Sequence, residues 1–218
     1  TQNLGVFSKA NIIYENIDRQ LDINVKEDNL SSMNSTNTKD NSLSAYQKIT
    51  TDTKTTRNRV SLSYEYDNPD SDNFVKSLKA HAYTQYSRVD DDSQINWSRT
   101  ARGATTNYSD VNDYYLKNNI YGGEISSSSI LEFNGNEHIF TYGVDYSKTD
   151  TSRLRKKTRD GTTVTNEKDT PNSEITRTGI YLQDEFSSGN FDFIAGLRFD
   201  NYDLNAKTDS IFTKTAYA

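Results

Sequence analysis

Few side chains in this sequence could carry out catalysis or hold a metal ion, and they lie far apart along the chain. The 218 residues contain no cysteine and 2 histidines, which excludes disulfides, thiol nucleophiles and cysteine-based metal sites. His81 alternates in phase with polar neighbours, and His138 follows the turn-forming residues Asn134-Gly135-Asn136. Imidazole is a good iron ligand, but neither histidine lies in a long polar stretch. We therefore interpret both histidines as hydrogen-bonded structural residues and predict no metal site.

The carboxylates and serines form no recognisable catalytic pattern either. Asp90, Asp91 and Asp92 offer the oxygen ligands that calcium prefers, but the turn glycine and the ligand spacing of a calcium loop are missing. The serine run from Ser126 to Ser129 has no histidine pattern beside it. The sequence also has no nucleophile elbow and no glycine-rich phosphate loop. We therefore predict that this protein is not an enzyme.

Two polar stretches contain residue types that suit recognition. Residues 90 to 112 combine aromatic rings with guanidinium groups, a mixture that is enriched at protein-binding hot spots. The candidate contact residues there are Trp97, Arg99, Arg102 and Tyr108. Residues 151 to 174 hold a dense basic run that could pair with the phosphates of an anionic lipid. Its members are Arg153, Arg155, Lys156, Lys157 and Arg159.

The composition limits the class of protein that could present these residues. Apolar residues make up 32% of the chain and the mean hydropathy is -0.91, which is little material for a soluble core of this size. Aromatic residues nevertheless reach 11%, with only 2 prolines and 10 glycines, so the chain is not typical of disorder. The net charge of -6 offers no basic field for nucleic acid. No apolar run approaches the roughly 18 residues of a membrane helix.

The apolar residues repeat with a period of two, which indicates strands. In residues 191 to 200 one side of the strand is apolar and the other is polar except for Ile194. The apolar side of that segment holds Phe191, Phe193, Ala195, Leu197 and Phe199. Similar alternation predicts eight strands, near residues 4 to 15, 19 to 27, 57 to 67, 74 to 89, 113 to 133, 137 to 150, 175 to 187 and 191 to 205.

Short and long connections alternate between these predicted strands. Short polar turns are predicted near residues 16 to 18, 68 to 73, 134 to 136 and 188 to 190. The long polar stretches between them are residues 27 to 56, 90 to 112 and 151 to 174. Structureless loops of that length argue against a compact soluble domain. Short turns on one side and long loops on the other are typical of an antiparallel outer-membrane β-barrel, whose polar lumen and aromatic girdles also suit this composition.

Other β proteins fit parts of the pattern. A soluble β-sandwich or lectin would share the period of two. A complete eight-stranded outer-membrane protein with a structural or adhesive role would share the strand count. A secreted, glycosylated β-domain would explain the Asn-x-Ser/Thr triplets, although such triplets arise easily in loops rich in Asn and Ser. The triplets begin at Asn29, Asn34, Asn96 and Asn107.

Three groups of residues in the second half of the chain carry a family resemblance. They are Thr141-Tyr142-Gly143-Val144-Asp145-Tyr146, Gly179-Ile180-Tyr181-Leu182-Gln183-Asp184-Glu185-Phe186 and Gly196-Leu197-Arg198-Phe199-Asp200-Asn201-Tyr202. These groups resemble the barrel of TonB-dependent outer-membrane receptors, and most of all the haem and haemoglobin receptors. The resemblance covers about residues 113 to 205, and residues 57 to 89 more loosely. Siderophore receptors share the last two groups, which keeps a siderophore receptor as the alternative.

The resemblance implies import of iron. Such receptors bind a scarce iron source outside the cell and pass it inward past a plug domain, with energy from the TonB complex. Here it implies haem as the transported ligand, with no covalently bound cofactor, taken from haemoglobin or another carrier by residues 90 to 112. The setting implied is the bacterial outer membrane, in contact with its lipid and with lipopolysaccharide, whose phosphates would meet the basic run at residues 153 to 159.

Parts of the family pattern are missing from the chain. We find no plug domain or TonB box near its start and no Phe-Arg-Ala-Pro box near its end. We therefore expect residues 1 to 218 to be part of one barrel domain, about eight strands of a 22-stranded receptor barrel, which cannot close on themselves at that curvature. The haem-ligating histidine of the family falls beyond the last residue, so no residue here inherits that role.

The residues that match the family motifs are interpreted as scaffold. They are Tyr181, Gln183, Asp184, Glu185, Gly196, Arg198 and Asp200. Gly143 and Gly196 are expected to permit close approach or to relieve curvature. Arg198 is expected to form an ionic network with Asp200 and Glu185 on the lumen side.

Overall fold

A computed structural model shows that the chain forms one antiparallel β-sheet. It describes residues 2–5, 7–26, 30, 33–37, 41–70, 73–133, 135–168 and 170–212. The strands within these ranges are β1 (Gln2–Gly5), β2 (Ser8–Lys26), β3 (Ser35–Asn37), β4 (Ser42–Asp67), β5 (Val75–Ala101), β6 (Ala104–Phe133), β7 (Asn136–Arg159), β8 (Thr162–Glu167), β9 (Asn172–Ser188) and β10 (Phe191–Lys207). The predicted all-β antiparallel class is confirmed.

The strands follow one another across the sheet in chain order. The main path runs β1-β2-β4-β5-β6-β7-β9-β10, while β3 pairs with β4 and β8 pairs with β7. This path has eight strands, the number predicted, although the predicted strands near residues 4 to 15 and 19 to 27 fall largely within the single strand β2. Within the described ranges the two edge strands, β1 and β10, do not pair with each other, so the sheet is open. No helix in the described part of the chain is long and apolar enough to cross a membrane.

The predicted turn at residues 16 to 18 is wrong. Strand β2 runs without interruption and pairs with β4 throughout its length, with Ile17 opposite Arg57. Its polar residues are accommodated because the ladder hydrogen bonds of a strand do not depend on side-chain polarity. The first hairpin turns instead near Phe7. Glu27, at the end of a predicted strand, and residues 71, 72 and 134 of the predicted turns lie outside the described residues.

The prediction of three long structureless loops is also wrong. Strands β4, β5, β6 and β7 continue far into those polar stretches. In β4 the threonine-rich segment at residues 50–56 favours extended backbone, and in the other three strands the pairing with a neighbouring strand continues through polar residues. Two of the connections are tight turns, Arg102-Gly103 and Asp160-Gly161, in which φ lies between 47° and 80°. Positive φ at both central residues is typical of the turn that matches the twist of a two-stranded hairpin.

The sheet has one apolar face and one polar face. Residues that are cross-strand partners point to the same side, so each face can be followed as rows across the strands. A row of the apolar face consists of Tyr64, Ala80, Ile125, Val144, Ile180 and Phe199. The adjacent row of the polar face consists of Ser63, His81, Glu124, Asp145, Gly179 and Asp200. The predicted alternation in β10 is thereby confirmed.

The sheet is a single layer, so nothing in the described chain packs against its apolar face. Leu197 is 81% exposed and Phe199 is 68% exposed, whereas the one buried large hydrophobic residue among those described is Leu30. A contiguous apolar surface of this kind is unfavourable in water. This face therefore needs an apolar covering from outside the sheet.

The connections divide between two ends of the sheet. Among the described residues, the turn end carries Phe7 and residues 68–70, 73–74, 135 and 189–190, and the hairpin end carries residues 33–37, 41, 102–103, 160–168 and 170–171. In β10 the apolar side chains alternate from Phe191 to Phe199, and this segment starts directly at the turn end. The segment is nine residues long, which matches the length of a strand that crosses a membrane. The sites described below lie mid-sheet and towards the hairpin end.

Candidate functional site

A cluster of aromatic and charged side chains lies near the hairpin end on the polar face. Trp97 of β5 and Tyr108 of β6 are cross-strand partners, and their stacked rings have centroids 4.6 Å apart. The Arg159 guanidinium lies 5.1 Å from the Trp97 ring centroid and 5.3 Å from the Tyr108 ring centroid. Both distances suit attraction between a cation and an aromatic ring. We call Trp97, Tyr108, Asp110, Lys157 and Arg159 the hairpin-end cluster.

Asp110 connects the members of this cluster. Its carboxylate accepts hydrogen bonds from Arg159 at 2.7 and 3.0 Å and from Trp97 Nε1 at 3.2 Å. Lys157 Nζ lies 3.2 Å from the same carboxylate, and Asp110 is only 4% exposed. The hydrogen bonds from Arg159 and Lys157 hold the pKa of Asp110 below its usual range, although burial opposes them. The cluster is therefore a charged, preorganised unit that fixes two aromatic rings.

The structure brings together part of the predicted contact set. Trp97 and Tyr108 are partners in the cluster, and Arg99 follows on the same face, opposite Thr106. Arg102 is exposed in the tight turn beyond them, with φ of 53°. Contact of these residues with a carrier stays a prediction. Sequence reasoning missed Asp110, whose role depends on pairing between strands.

The basic run lies on strand β7 and not in a loop. Four of its members, Arg153, Arg155, Lys157 and Arg159, alternate onto the polar face, in phase with Asp145. Lys156 points to the opposite side, which continues the apolar face. Their contact with lipopolysaccharide stays a prediction, and only Lys156 lies on the side that such a contact would need.

A row of four aspartates lies on that opposite side of the hairpin end. Asp22, Asp52, Asp92 and Asp113 are successive cross-strand partners on β2, β4, β5 and β6. Like charges directly opposite each other destabilise a sheet. Burial raises the pKa of Asp92, and the neighbouring Asp113, Asp90 and Asp52 raise it further. We call these four residues the acidic row.

The three consecutive aspartates considered as calcium ligands do not converge. Asp90 accepts a charged hydrogen bond from Arg88 at 2.6 Å, while Asp91 lies on the polar face and accepts from Thr53 Oγ1 at 3.0 Å. Strand geometry explains the separation, because successive side chains point to opposite faces. Within the part of the chain that the structure describes, no group of three or more acidic or histidine side chains could hold a metal ion.

A second charged network lies mid-sheet on the polar face. Arg198 donates to Asp200 at 2.8 Å and reaches Asp145, two strands away, at 2.6 Å. The predicted pair of Arg198 with Asp200 is confirmed. Glu185 is not its partner, because that carboxylate accepts a hydrogen bond from Gln183 at 2.6 Å. Asp145 takes the place in the network that the sequence analysis gave to Glu185.

Glycine makes room for the long side chains of this network. A Cβ atom on Gly179 would clash with both members of the ion pair between Asp145 and Arg198. A Cβ atom on Gly143 would lie 2.7 Å from the tyrosine ring of β9, which confirms the predicted close approach. Gly196 permits no close approach, because the nearest atom to a Cβ there would be 3.7 Å away, an ordinary contact. Relief of curvature at Gly196 stays a prediction.

The two histidines lie in different environments. His81 is on the polar face, as predicted, and its ring is 5.5 Å from that of Tyr83. His138 is on the apolar face near the turn end, where Nδ1 lies 2.9 Å from Asp184 and the ring stacks 4.5 Å from Phe186. The predicted hydrogen-bonded structural role is confirmed for His138. Asp184, a motif residue, serves as its partner.

The chain as a whole has a recognisable relationship to known proteins. Residues 2–217 match the family model described as TonB dependent receptor-like, beta-barrel. No curated protein shows a significant match to the chain. The family match extends over the two faces, the hairpin-end cluster and the mid-sheet network, and not over a single motif.

Proposed function

The chain belongs to the TonB-dependent receptor β-barrel family, and from that premise we propose that it imports haem from haemoglobin or another carrier protein. Family membership makes it a nutrient receptor of the bacterial outer membrane that works with TonB, and a transporter instead of an enzyme. The prediction that it is not an enzyme is thereby confirmed. Haem and its carrier are the specific part of the proposal.

The two faces of the sheet indicate which side of the barrel wall contacts lipid and which side lines the lumen. In an outer-membrane barrel the apolar side of each strand contacts lipid and the polar side lines the lumen. The row that contains Ile125 and Phe199 then faces lipid, and the network of Arg198 with Asp145 and Asp200 faces the lumen. With the turn end on the periplasmic side, the hairpin-end cluster lies at the extracellular mouth.

The observation that carries the proposal is the stacked pair of Trp97 and Tyr108 with a guanidinium beside it. Haem is a flat apolar ring with two propionates, so aromatic rings and cations at one place suit its capture. Aromatic residues and arginine are also the residue types that dominate protein-binding hot spots. The cluster therefore suits both the ligand and a protein that carries it.

We further propose that this part of the receptor contributes wall and mouth contacts without an iron ligand. His138 is held by Asp184 on the lipid side, far from the mouth. His81 lies mid-sheet on the lumen side, below the hairpin-end cluster. Haem recognition in this region then depends on stacking and on charge.

The test uses cells in which this protein is the only route for haem. The double variant Trp97→Ala with Tyr108→Ala should weaken haemoglobin binding to isolated outer membranes by roughly tenfold or more and slow growth on haemoglobin iron. The matched control is Tyr86→Ala with Tyr115→Ala, which removes two aromatic rings from the same two strands on the opposite face. The control should bind and grow like the unchanged protein.

Three outcomes would contradict the proposal. Equal loss in the control variant would mean that the aromatic rings act through stability. If the variant Trp97→Ala with Tyr108→Ala grows normally on haemoglobin but poorly on a ferric siderophore, the result would favour a siderophore receptor, whose motifs the chain also resembles. A failure of haem growth in His81→Ala, with normal surface expression, would reveal a histidine ligand in the lumen.

A further inference from the structure

The alternation of strand β7 gives the basic run a different role from lipid contact. We propose that Arg153, Arg155 and Lys157 form an anion-binding ladder on the lumen side of the mouth, which receives the carboxylates of the incoming ligand. In so far as that ligand is haem, with its two propionates, the inference rests on the proposed function. We call these three residues the cation ladder.

Strand geometry aligns the ladder with the direction of entry. Its members occupy alternate positions of one continuous strand, so neighbouring steps are about 6.7 Å apart. Their partners on β6 are Leu116, Tyr114 and Asn112, in a register without a bulge. The ladder begins beside the hairpin-end cluster, because Lys157 bonds to Asp110, and descends along the same face towards Asp145. A ligand that enters along this face meets cations at regular intervals.

The charges of the ladder are only partly neutralised within the sheet. Lys157 shares Asp110 with Arg159, so two cations pair with one carboxylate. Arg155 lies 3.4 Å from Glu167, but both side chains are about half exposed, and such pairs hold each other weakly. The structure shows no salt bridge from the half-buried Arg153 within its described residues, and its Nε is buried. The charge of Arg153 and the exposed guanidinium of Arg155 are therefore what the ladder offers to an anion.

The outward face of the neighbouring strands argues against anionic lipid as the partner, although the row there ends at Lys156 of β7, the cross-strand partner of Asp113. The acidic row of β2, β4, β5 and β6 lies on the outward side at this height. Carboxylates repel the phosphates of lipopolysaccharide, while the cations on the inward side face a lumen that lipid does not enter. The anion that suits the ladder is therefore one that passes through the mouth.

The test compares a charged and a neutral form of one ligand on the intact protein in lipid nanodiscs. The double variant Arg153→Gln with Arg155→Gln keeps the length and polarity of both side chains and leaves Asp110 with its partners. It should weaken binding of haem by roughly tenfold at low salt, the effect of losing one good charged contact. Binding of haem dimethyl ester, which lacks both negative charges, should change by less than about twofold.

Lys156→Gln is the matched control, because it removes one charge of the same run on the opposite face. It should leave haem binding unchanged, and added salt should narrow the difference between the double variant and the unchanged protein. Equal weakening for haem and its ester, or equal weakening in Lys156→Gln, would overturn the ladder.

Failure of the ladder and failure of haem import give different results. If the double variant binds haem as tightly as the unchanged protein does, the ladder is refuted and the proposal of haem import still stands. If the unchanged protein binds no haem, haem import fails, and the same variants are then measured with ferric citrate, a carboxylate-rich complex. Weaker binding of ferric citrate to Arg153→Gln with Arg155→Gln, but not to Lys156→Gln, would support the ladder. Equal binding of ferric citrate to all of these proteins, or no binding to the unchanged protein, would overturn the ladder.

Discussion

Asp110 and Asp92 lie on opposite faces near the hairpin end, and their pKa values shift in opposite directions. Arg159 lowers the pKa of Asp110 in the folded protein, so its contribution to stability is present above the unfolded pKa and is lost as the pH falls through the folded pKa. Burial and like charges raise the pKa of Asp92. Its ionisation therefore costs stability, and this cost disappears as the pH falls through the raised folded pKa.

Replacing each of these aspartates by asparagine should change stability in opposite directions at neutral pH. Asp110→Asn should lower the free energy of unfolding by about 1 to 3 kcal/mol, because charged hydrogen bonds are lost around a buried group. Asp92→Asn should raise it, because a charge is removed from the acidic row. Urea titration of the protein refolded in lipid vesicles measures both, and both differences should shrink in acid. Destabilisation by Asp92→Asn would show that the acidic row is stabilised by something other than protonation.

In strand β10, adjacent residues lie on opposite faces of the sheet. Ala195 lies on the apolar face, and its neighbour Ile194 lies on the polar face in spite of being apolar itself. The strand therefore offers two adjacent positions at one depth in the membrane, one towards lipid and one towards the lumen.

The same substitution at these two positions should have unequal effects. Ala195→Arg should destabilise the folded protein by about 2 to 4 kcal/mol if the site is near the midplane of the bilayer, whereas Ile194→Arg should cost much less. Unfolding titrations in vesicles of defined lipid measure the difference. Similar costs for the two variants would mean that lipid does not cover the apolar face.

The strands whose faces differ in polarity could be predicted from the sequence, and those with two polar faces could not. The period of two gave the correct faces for Phe193, Leu197 and Arg198, because that signal is local. The period vanishes towards the hairpin end, where ladder hydrogen bonds, ion pairs and the stacked aromatic rings of the hairpin-end cluster hold the strands together and leave no period in hydropathy. The pair Asp160-Gly161 is a usable sequence signal for a tight turn, and it lies inside a stretch that the polar composition predicts to be a loop.

The interactions between distant strands were beyond the reach of the sequence. Arg198 and Asp145 are 53 positions apart, and the choice of Asp145 over Glu185 follows from register across three strands. Asp110 was overlooked for the same reason, since its partners come from β5 and β7. By contrast, the pairing of Trp97 with Tyr108 lies within one hairpin and depends only on the position of its turn.

The two ends of the sheet differ in the whole molecule. Among the described residues, the apolar side chains of β10 from Phe191 to Phe199 start at the turn end, and the hairpin end lies beyond them. In outer-membrane barrels the short turns are periplasmic, so the orientation of the receptor follows from the positions of its turns.

Labelling of single cysteines in whole cells should confirm this orientation, since the chain has no cysteine of its own. A cysteine in place of Ala104, beside the Arg102-Gly103 turn, should react with a membrane-impermeant maleimide. A cysteine in place of Asn190, in the β9 to β10 turn, should react only after the outer membrane is permeabilised. The reverse pattern would invert the assignment and place the hairpin-end cluster in the periplasm.

The opposite charges on the two faces near the hairpin end affect how quickly a ligand arrives. The sign of the charge changes across the thickness of a single sheet, from the acidic row outside to the cation ladder inside. An opening lined by one sign focuses the field and can raise the association rate of an oppositely charged molecule by about ten to a thousand fold. Negatively charged molecules that drift along the outer wall are repelled, while those over the opening are drawn in. The receptor therefore favours negatively charged ligands through the rate at which they reach the opening, before any contact with the binding residues is made.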